Sequence, residues 1–141
     1  MRIALGTILT VLLFAAGCAD AASLASLRRA LTEEFHENDI GVSLSNGLVV
    51  EVTFVREGTA HAPCDTLTAL ALRIATSVRR NYGGFDTLQM VSVSIAQRWP
   101  DDPSRPRSAH LPFRFSRLSL QTGRVAADSL SAIAMCELDR D

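Results

Sequence analysis

The residues from Ile40 to Val55 constrain the fold more than any other part of this chain. Two runs of alternating apolar residues flank Asn46-Gly47, a pattern that predicts a β-hairpin. A two-residue loop would place Glu51 on the apolar face, whereas a three-residue loop, Ser45-Asn46-Gly47, keeps the apolar side chains together. We therefore expect the longer loop, with Gly47 in the left-handed conformation that glycine adopts without steric cost. The predicted pairs are Ile40 with Val52, Val42 with Val50 and Leu44 with Leu48.

Two further segments have apolar residues at the spacing of amphipathic helices. The first spans Ser23 to Asn38, and its serine can cap the first turn by accepting a hydrogen bond from a backbone N–H. The second starts at a cap formed by Asp65 or Thr66 and continues to about Asn81, where Gly83-Gly84 supply a stop. Each helix has one apolar stripe, so we expect both to pack on a common core.

The second half of the chain contains two more predicted strands. The run from Val91 to Trp99 alternates apolar and small polar residues, which is typical of a half-buried strand. The run from Pro112 to Gln121 changes phase midway, which predicts a bulge or bend near Ser116-Arg117. Residues 101–112 contain three prolines and are expected to be irregular. Residues 125–141 fit both a helix and a strand, and we favour a short helix.

The order of elements is therefore α-β-β-α-β-β, followed by a short C-terminal segment. Because every element is apolar on one face, this order predicts a two-layer α+β domain over residues 23–141. Both helices should lie on one face of an antiparallel or mixed sheet. A domain of about 120 residues buries enough surface to fold without a metal ion or several disulfides.

Nothing in the net charge argues for nucleic acid as a partner, and we expect none. All 14 cationic side chains are arginine, and they are nearly balanced by 15 acidic ones. Lysine is absent from the whole chain, so the presence of arginine at a single position is little evidence for a function there. The segment from Ser104 to Arg124 is the exception, because it is cationic without a single acid. One interpretation is a surface that binds anionic polymers or lipid headgroups. The other is a strand whose phenylalanines face the core and whose arginines face the solvent. The arginines of the first interpretation are Arg105, Arg107, Arg114 and Arg117.

The N-terminus has the layout of a secretory signal peptide. Arg2 precedes an apolar run, Ile3 to Ala16, whose 14 residues are fewer than the ~20 that a membrane-spanning helix needs. Small residues follow that run. We therefore expect residues 1–17 to be removed and the mature protein to work outside the cytoplasm.

The end of the apolar run, Ala15-Ala16-Gly17-Cys18, resembles the lipobox of bacterial lipoproteins. The resemblance covers residues 1–18 and implies that Cys18 becomes a lipid-modified N-terminus, with residues 18–22 as a tether to the membrane. It also implies the outer membrane rather than the inner one, because Ala19, and not aspartate, follows the cysteine. The alternative is cleavage after Ala19-Asp20-Ala21, which would release a soluble secreted protein.

Two cysteines remain if Cys18 is acylated. Disulfides persist in the oxidising cell envelope, so Cys64 and Cys136 are expected to pair. Two free thiols, or a metal site that joins Cys64 to His61, are the alternatives.

No catalytic motif stands out in this chain. The three histidines, His36, His61 and His110, lie in no recognisable nucleophile motif, and no glycine-rich phosphate loop occurs. The order of elements over residues 24–97 resembles the BON domain of bacterial envelope proteins. The connection from Val55 to Asp65 is longer than in that domain, so membrane or phospholipid binding is not carried over. We expect a lipid-anchored envelope protein without a cofactor, acting as a binding or structural module. A small secreted hydrolase is the alternative.

Overall fold

The computed structural model describes residues 4–58, 62–102, 104, 108–109 and 112–124, with side chains from Asp20 onward except at 108–109. These residues form three α-helices, five strands and one short 3-10 turn. The elements in chain order are α1 (Ala4–Phe35), β1 (Ile40–Ser45), β2 (Val49–Glu57), α2 (Cys64–Asn81), the 3-10 turn (Phe85–Thr87), β3 (Met90–Arg98), β4 (Ser108–Ala109), β5 (Phe113–Ser116) and α3 (Arg117–Thr122).

The strands form one mixed sheet, which confirms the predicted α+β class. The hairpin strands β1 and β2 are antiparallel, and β2 pairs with β3 in parallel. Helix α2 connects these two parallel strands, because a chain that leaves one end of a strand must return to the other end before a parallel neighbour can start. On its other side, β3 pairs antiparallel with β5 along its first half and with β4 near its end.

In the two strands of the hairpin, the side chains predicted to face the core do so, but the strands pair in a different register. Val42 pairs with Val52 and Leu44 with Val50, so the two strands are shifted relative to each other by two residues from the predicted pairing. The loop has three residues, as expected, but they are Asn46, Gly47 and Leu48. A shift of two residues preserves the side-chain alternation, and Glu51 is therefore exposed on the face away from the core.

The core lies between one face of the sheet and the helices. Leu27 and Leu31 of α1 and the apolar stripe of α2 pack in one cluster with the strand residues of that face. Both long helices therefore cover the same side of the sheet, as the predicted two-layer arrangement requires. The strand residues of this cluster are Ile40, Val50, Val52, Phe54, Val91, Val93, Ile95, Phe113 and Phe115.

The helix starts differ from the predictions. Helix α1 begins at Ala4 rather than at Ser23, so Ser23 is an interior residue and not a cap. No proline separates the apolar leader from the amphipathic segment, and the two join in one helix that runs through Gly6 and Gly17. Helix α2 begins at Cys64 after Pro63, without a side-chain cap, and Asp65 lies in its first turn. It ends at Asn81, close to the predicted end.

The predicted long fourth strand is wrong in its second half. Strand β5 ends at Ser116, and α3 starts at the next residue. The phase change in the sequence therefore marks a switch from strand to helix and not a bulge. Ser116 caps α3 by accepting a hydrogen bond from the backbone N–H of Ser119, and Gly123 ends it in the left-handed conformation.

Candidate functional site

The predicted acylation site lies within α1. The backbone at Cys18 is helical, and the helix continues without a break to Phe35. Leu24 is packed against the core, and Leu27 is fully buried. At a rise of 1.5 Å per residue, the backbone of Cys18 is about 9 Å along the helix from Leu24 and about 13 Å from Leu27. Residues 18–22, which the sequence predicts as a tether, thus lie inside the helix that packs on the core from Leu24 onward.

Three connections meet at one end of the sheet, which we call the turn end. It consists of Asn46–Leu48, Tyr82–Gln89 and Arg117–Thr122. Backbone hydrogen bonds join them, since the carbonyl of Leu48 accepts from the N–H of Gln89 at 2.8 Å, and the carbonyl of Gln89 accepts from the N–H of Arg117 at 3.0 Å. The Arg117 guanidinium also donates to the carbonyl of Asp86. These bonds hold the three connections in a fixed arrangement.

The N-terminal part of α1 points towards this turn end. Helix α1 packs against β1 and α2 and connects to β1 by only four residues at the opposite end of the sheet. The chain must therefore run along the sheet from the turn end. The electrostatics of Tyr82 agree, because burial raises the pKa of its hydroxyl and the Asp20 carboxylate raises that pKa further. Gly84 lets the Tyr82 ring lie close to the backbone, as a Cβ at that position would be 2.9 Å from the ring.

The predicted anionic-surface residues are only partly within the described chain. Arg114 is exposed on β5, on the face of the sheet away from the helices. Arg117 is half-buried at the turn end. Phe113 and Phe115 are buried in the core, so they supply no aromatic surface beside these arginines. Arg105 and Arg107 lie outside the described residues, and Arg114 and Arg117 belong to different surfaces.

Cys64 is buried at the start of α2 and is disulfide-bonded. Its predicted partner, Cys136, lies outside the described residues, as does His61 of the alternative metal site. The pairing of Cys64 with Cys136 therefore stays a prediction. Within the described part of the chain, no three His, Cys, Asp or Glu side chains are close enough together to hold a metal ion. No helix among the described residues is long and apolar enough to cross a membrane.

A groove of about 810 Å³ lies at the other end of the domain, between the end of α1, the start of α2 and the end of β2. It is open to solvent and carries both signs of charge. The Arg73 guanidinium stacks on the Phe35 ring at 5.2 Å, and Phe35 meets Phe54 edge-on at 5.7 Å. Its ionisable residues are Glu34, His36, Glu37, Arg56, Glu57, Asp65 and Arg73.

Sequence reasoning missed this groove. His36 lies just beyond the last residue of α1, where it is exposed and has a left-handed backbone with φ of 54°. The sequence does not indicate that His36 and Asp65 line the same groove, which forms where the end of α1 meets the start of α2.

No protein-family model, curated protein or solved structure matches this chain. The candidate sites therefore rest on the residues and their geometry alone. They are the acylation site with the turn end, and the groove at the opposite end.

Proposed function

We propose that this chain is a lipid-anchored protein of the bacterial cell envelope whose folded domain is a binding or structural module. The observation that carries the proposal is the sequence Ala15-Ala16-Gly17-Cys18 at the end of a short apolar run behind Arg2. Removal of residues 1–17 leaves Cys18 at the start of a helix that leads directly into the core. Ala19 as the second mature residue favours delivery to the outer membrane.

The acyl chains of such an anchor would attach the protein stably to a membrane by burying their methylene groups in the bilayer. Each buried methylene of an acyl chain contributes ~0.8 kcal/mol, and two or more chains hold a protein on a bilayer where one chain is marginal. A bacterial lipoprotein carries more than one chain. The domain then needs no membrane-spanning helix of its own to stay in the envelope.

Metabolic labelling tests the proposal. Bacteria that express the full chain and receive a labelled fatty acid should incorporate the label into the protein, and Cys18→Ser should abolish it. Cys136→Ser is the matched control, because it removes a cysteine and leaves the acylation motif intact. An unlabelled wild-type protein whose N-terminus is Ala22 would overturn the proposal and establish secretion without an anchor.

A small secreted hydrolase is the second candidate, and the groove between α1 and α2 is the observation that favours it. The side chains that line the groove include His36, Asp65 and Thr66, which are the residue types that a hydrolase uses as base, acid and nucleophile. Its openness argues against it, since hydrolase sites gain much of their electrostatic strength by excluding water. Hydrolysis of ester or peptide substrates that His36→Gln abolishes, and that Glu51→Gln does not, would favour the enzyme.

A further inference from the structure

The path of α1 determines where an acyl anchor lies relative to the folded domain. A helix is stiff over a few turns, so an anchor at Cys18 cannot move far from the part of the domain that α1 first contacts. Helix α1 enters from the side of the turn end, because it packs along β1 and α2 and joins β1 after Phe35 at the other end of the sheet. The short distance between Cys18 and the buried Leu27 keeps this end close to the membrane surface.

The turn end also carries the exposed apolar side chains. Leu48 is 39% exposed and Leu118 is 67% exposed, and these are the large apolar residues with exposed side chains in the described part of the chain. Single exposed leucines are ordinary. These two lie on connections that Gln89 joins by backbone hydrogen bonds, so they are neighbours on the same end of the domain.

The charges near this end complement an anionic lipid surface. Arg79 and Arg80 are in the last turn of α2, Arg117 starts α3 and Arg124 follows it. Arg79 donates to the carbonyl of Leu120, and Arg80 pairs with Glu34. The acids near these arginines are Asp20, Asp86 and Glu34, and the last of these also lines the groove. The groove at the opposite end has an excess of negative charge, with four carboxylates and two arginines.

From these observations we propose that the turn end rests on the bilayer that holds the protein's own acyl anchor. Leu48 and Leu118 enter the headgroup region, and Arg117 faces lipid phosphates. This inference depends on the proposed acylation of Cys18 and adds a fixed orientation to it. The groove between α1 and α2 then faces away from the membrane, where a partner in the envelope can reach it.

Tryptophan fluorescence in vesicles tests the orientation. The full acylated protein is placed in vesicles of phosphatidylethanolamine and phosphatidylglycerol with and without brominated lipid, a quencher that acts at short range. Leu48→Trp and Leu118→Trp should each lose most of the added fluorescence when brominated lipid is present. Ala69→Trp, in the groove, is the matched control and should lose none, and the native Trp99 supplies the background signal in every variant.

The outcomes separate the two proposals. An unacylated protein contradicts the proposed function. An acylated, vesicle-bound protein in which Leu48→Trp and Leu118→Trp are not quenched overturns the orientation and leaves the anchor intact. Equal quenching at all three positions also overturns it, because the domain would then have no preferred face. If lipid does not quench Leu118→Trp but crosslinking in native envelopes joins this end to a protein, the surface binds a protein and not a bilayer.

Discussion

At the scale of single residues, Gly47 has the clearest conformational requirement. Its φ is +71°, and the preceding Asn46 has a φ of 53°. A Cβ at Gly47 would meet nothing within 4 Å, so a larger side chain is opposed by the backbone conformation and not by crowding. Asparagine is one of the few other residues that tolerate this region. The turn thus depends on the residue types at these two positions.

We expect Gly47→Val to lower the free energy of unfolding by about 1–2 kcal/mol, because valine is forced into the left-handed region. Gly83→Val is the matched control, since Gly83 also has open space around a Cβ and its φ is not left-handed. Glu51→Gln, on the exposed face, should cost less than about 0.5 kcal/mol. A urea titration measures all three variants. A neutral Gly47→Val would contradict the observed turn.

Tyr82 makes stability depend on alkaline pH. Burial and the Asp20 carboxylate raise the pKa of its hydroxyl, so the unfolded chain loses this proton before the folded one. The folded state then holds more protons, and the free energy of unfolding should fall as the pH rises above the ordinary tyrosine value of about 10. The chain has one tyrosine and no lysine, which leaves few competing groups in this range.

Tyr82→Phe should remove most of this pH dependence in denaturant titrations. Asp20→Asn should lower the pKa of Tyr82 towards its ordinary value, as measured by tyrosinate absorbance, whereas Glu33→Gln on the same helix should not change it. A titration that is identical in wild type and Asp20→Asn would show that the part of α1 around Asp20 is not close to Tyr82.

At the scale of elements, α1 has two roles in different parts of its length. Its first part coincides with the predicted leader, and the part from Leu24 onward contributes to the core. Leu27 and Leu31 are spaced by one helical turn and are both buried, while Arg28 and Arg29 are exposed. A mature protein that starts at Cys18 keeps all of these contacts.

Leu27→Ala should therefore destabilise the mature protein by about 2–5 kcal/mol, the usual cost of emptying a fully buried leucine site. Arg28→Ala, the next residue on the exposed side, should change stability by less than about 0.5 kcal/mol. Thermal and urea unfolding of protein expressed from Cys18 onward compare the two. Equal small effects would mean that the segment after Cys18 is a tether and not part of the fold.

At the scale of the whole molecule, the disulfide of Cys64 constrains the start of α2. If Cys136 is the partner, the closed loop has about 70 residues, and chain entropy predicts about 4 kcal/mol of stabilisation. Reduction, or Cys136→Ser, should lower the free energy of unfolding by about this amount. Alkylation followed by mass spectrometry identifies the partner, and two free thiols in oxidised protein would contradict the pairing.

The sequence alone determined which face is buried in the two long helices and in the strands β1, β2, β3 and β5. The alternation around Asn46-Gly47 correctly placed Glu51 away from the core, and the stripe from Leu67 to Val78 correctly described α2. Periodicity carries this information because a strand repeats every two residues and a helix every 3.6. The α+β class follows from the order of such elements.

Tertiary structure decided how these elements combine. The hairpin register differs by two residues from the expected one, since both registers bury the same faces and only the turn at Asn46–Leu48 distinguishes them. The parallel pairing of β2 with β3, the switch from β5 to α3 and the meeting of three connections at the turn end depend on contacts between residues far apart in sequence. Local sequence patterns do not determine those contacts. An apolar face shows that an element must be buried against another one, but it does not show which element that is.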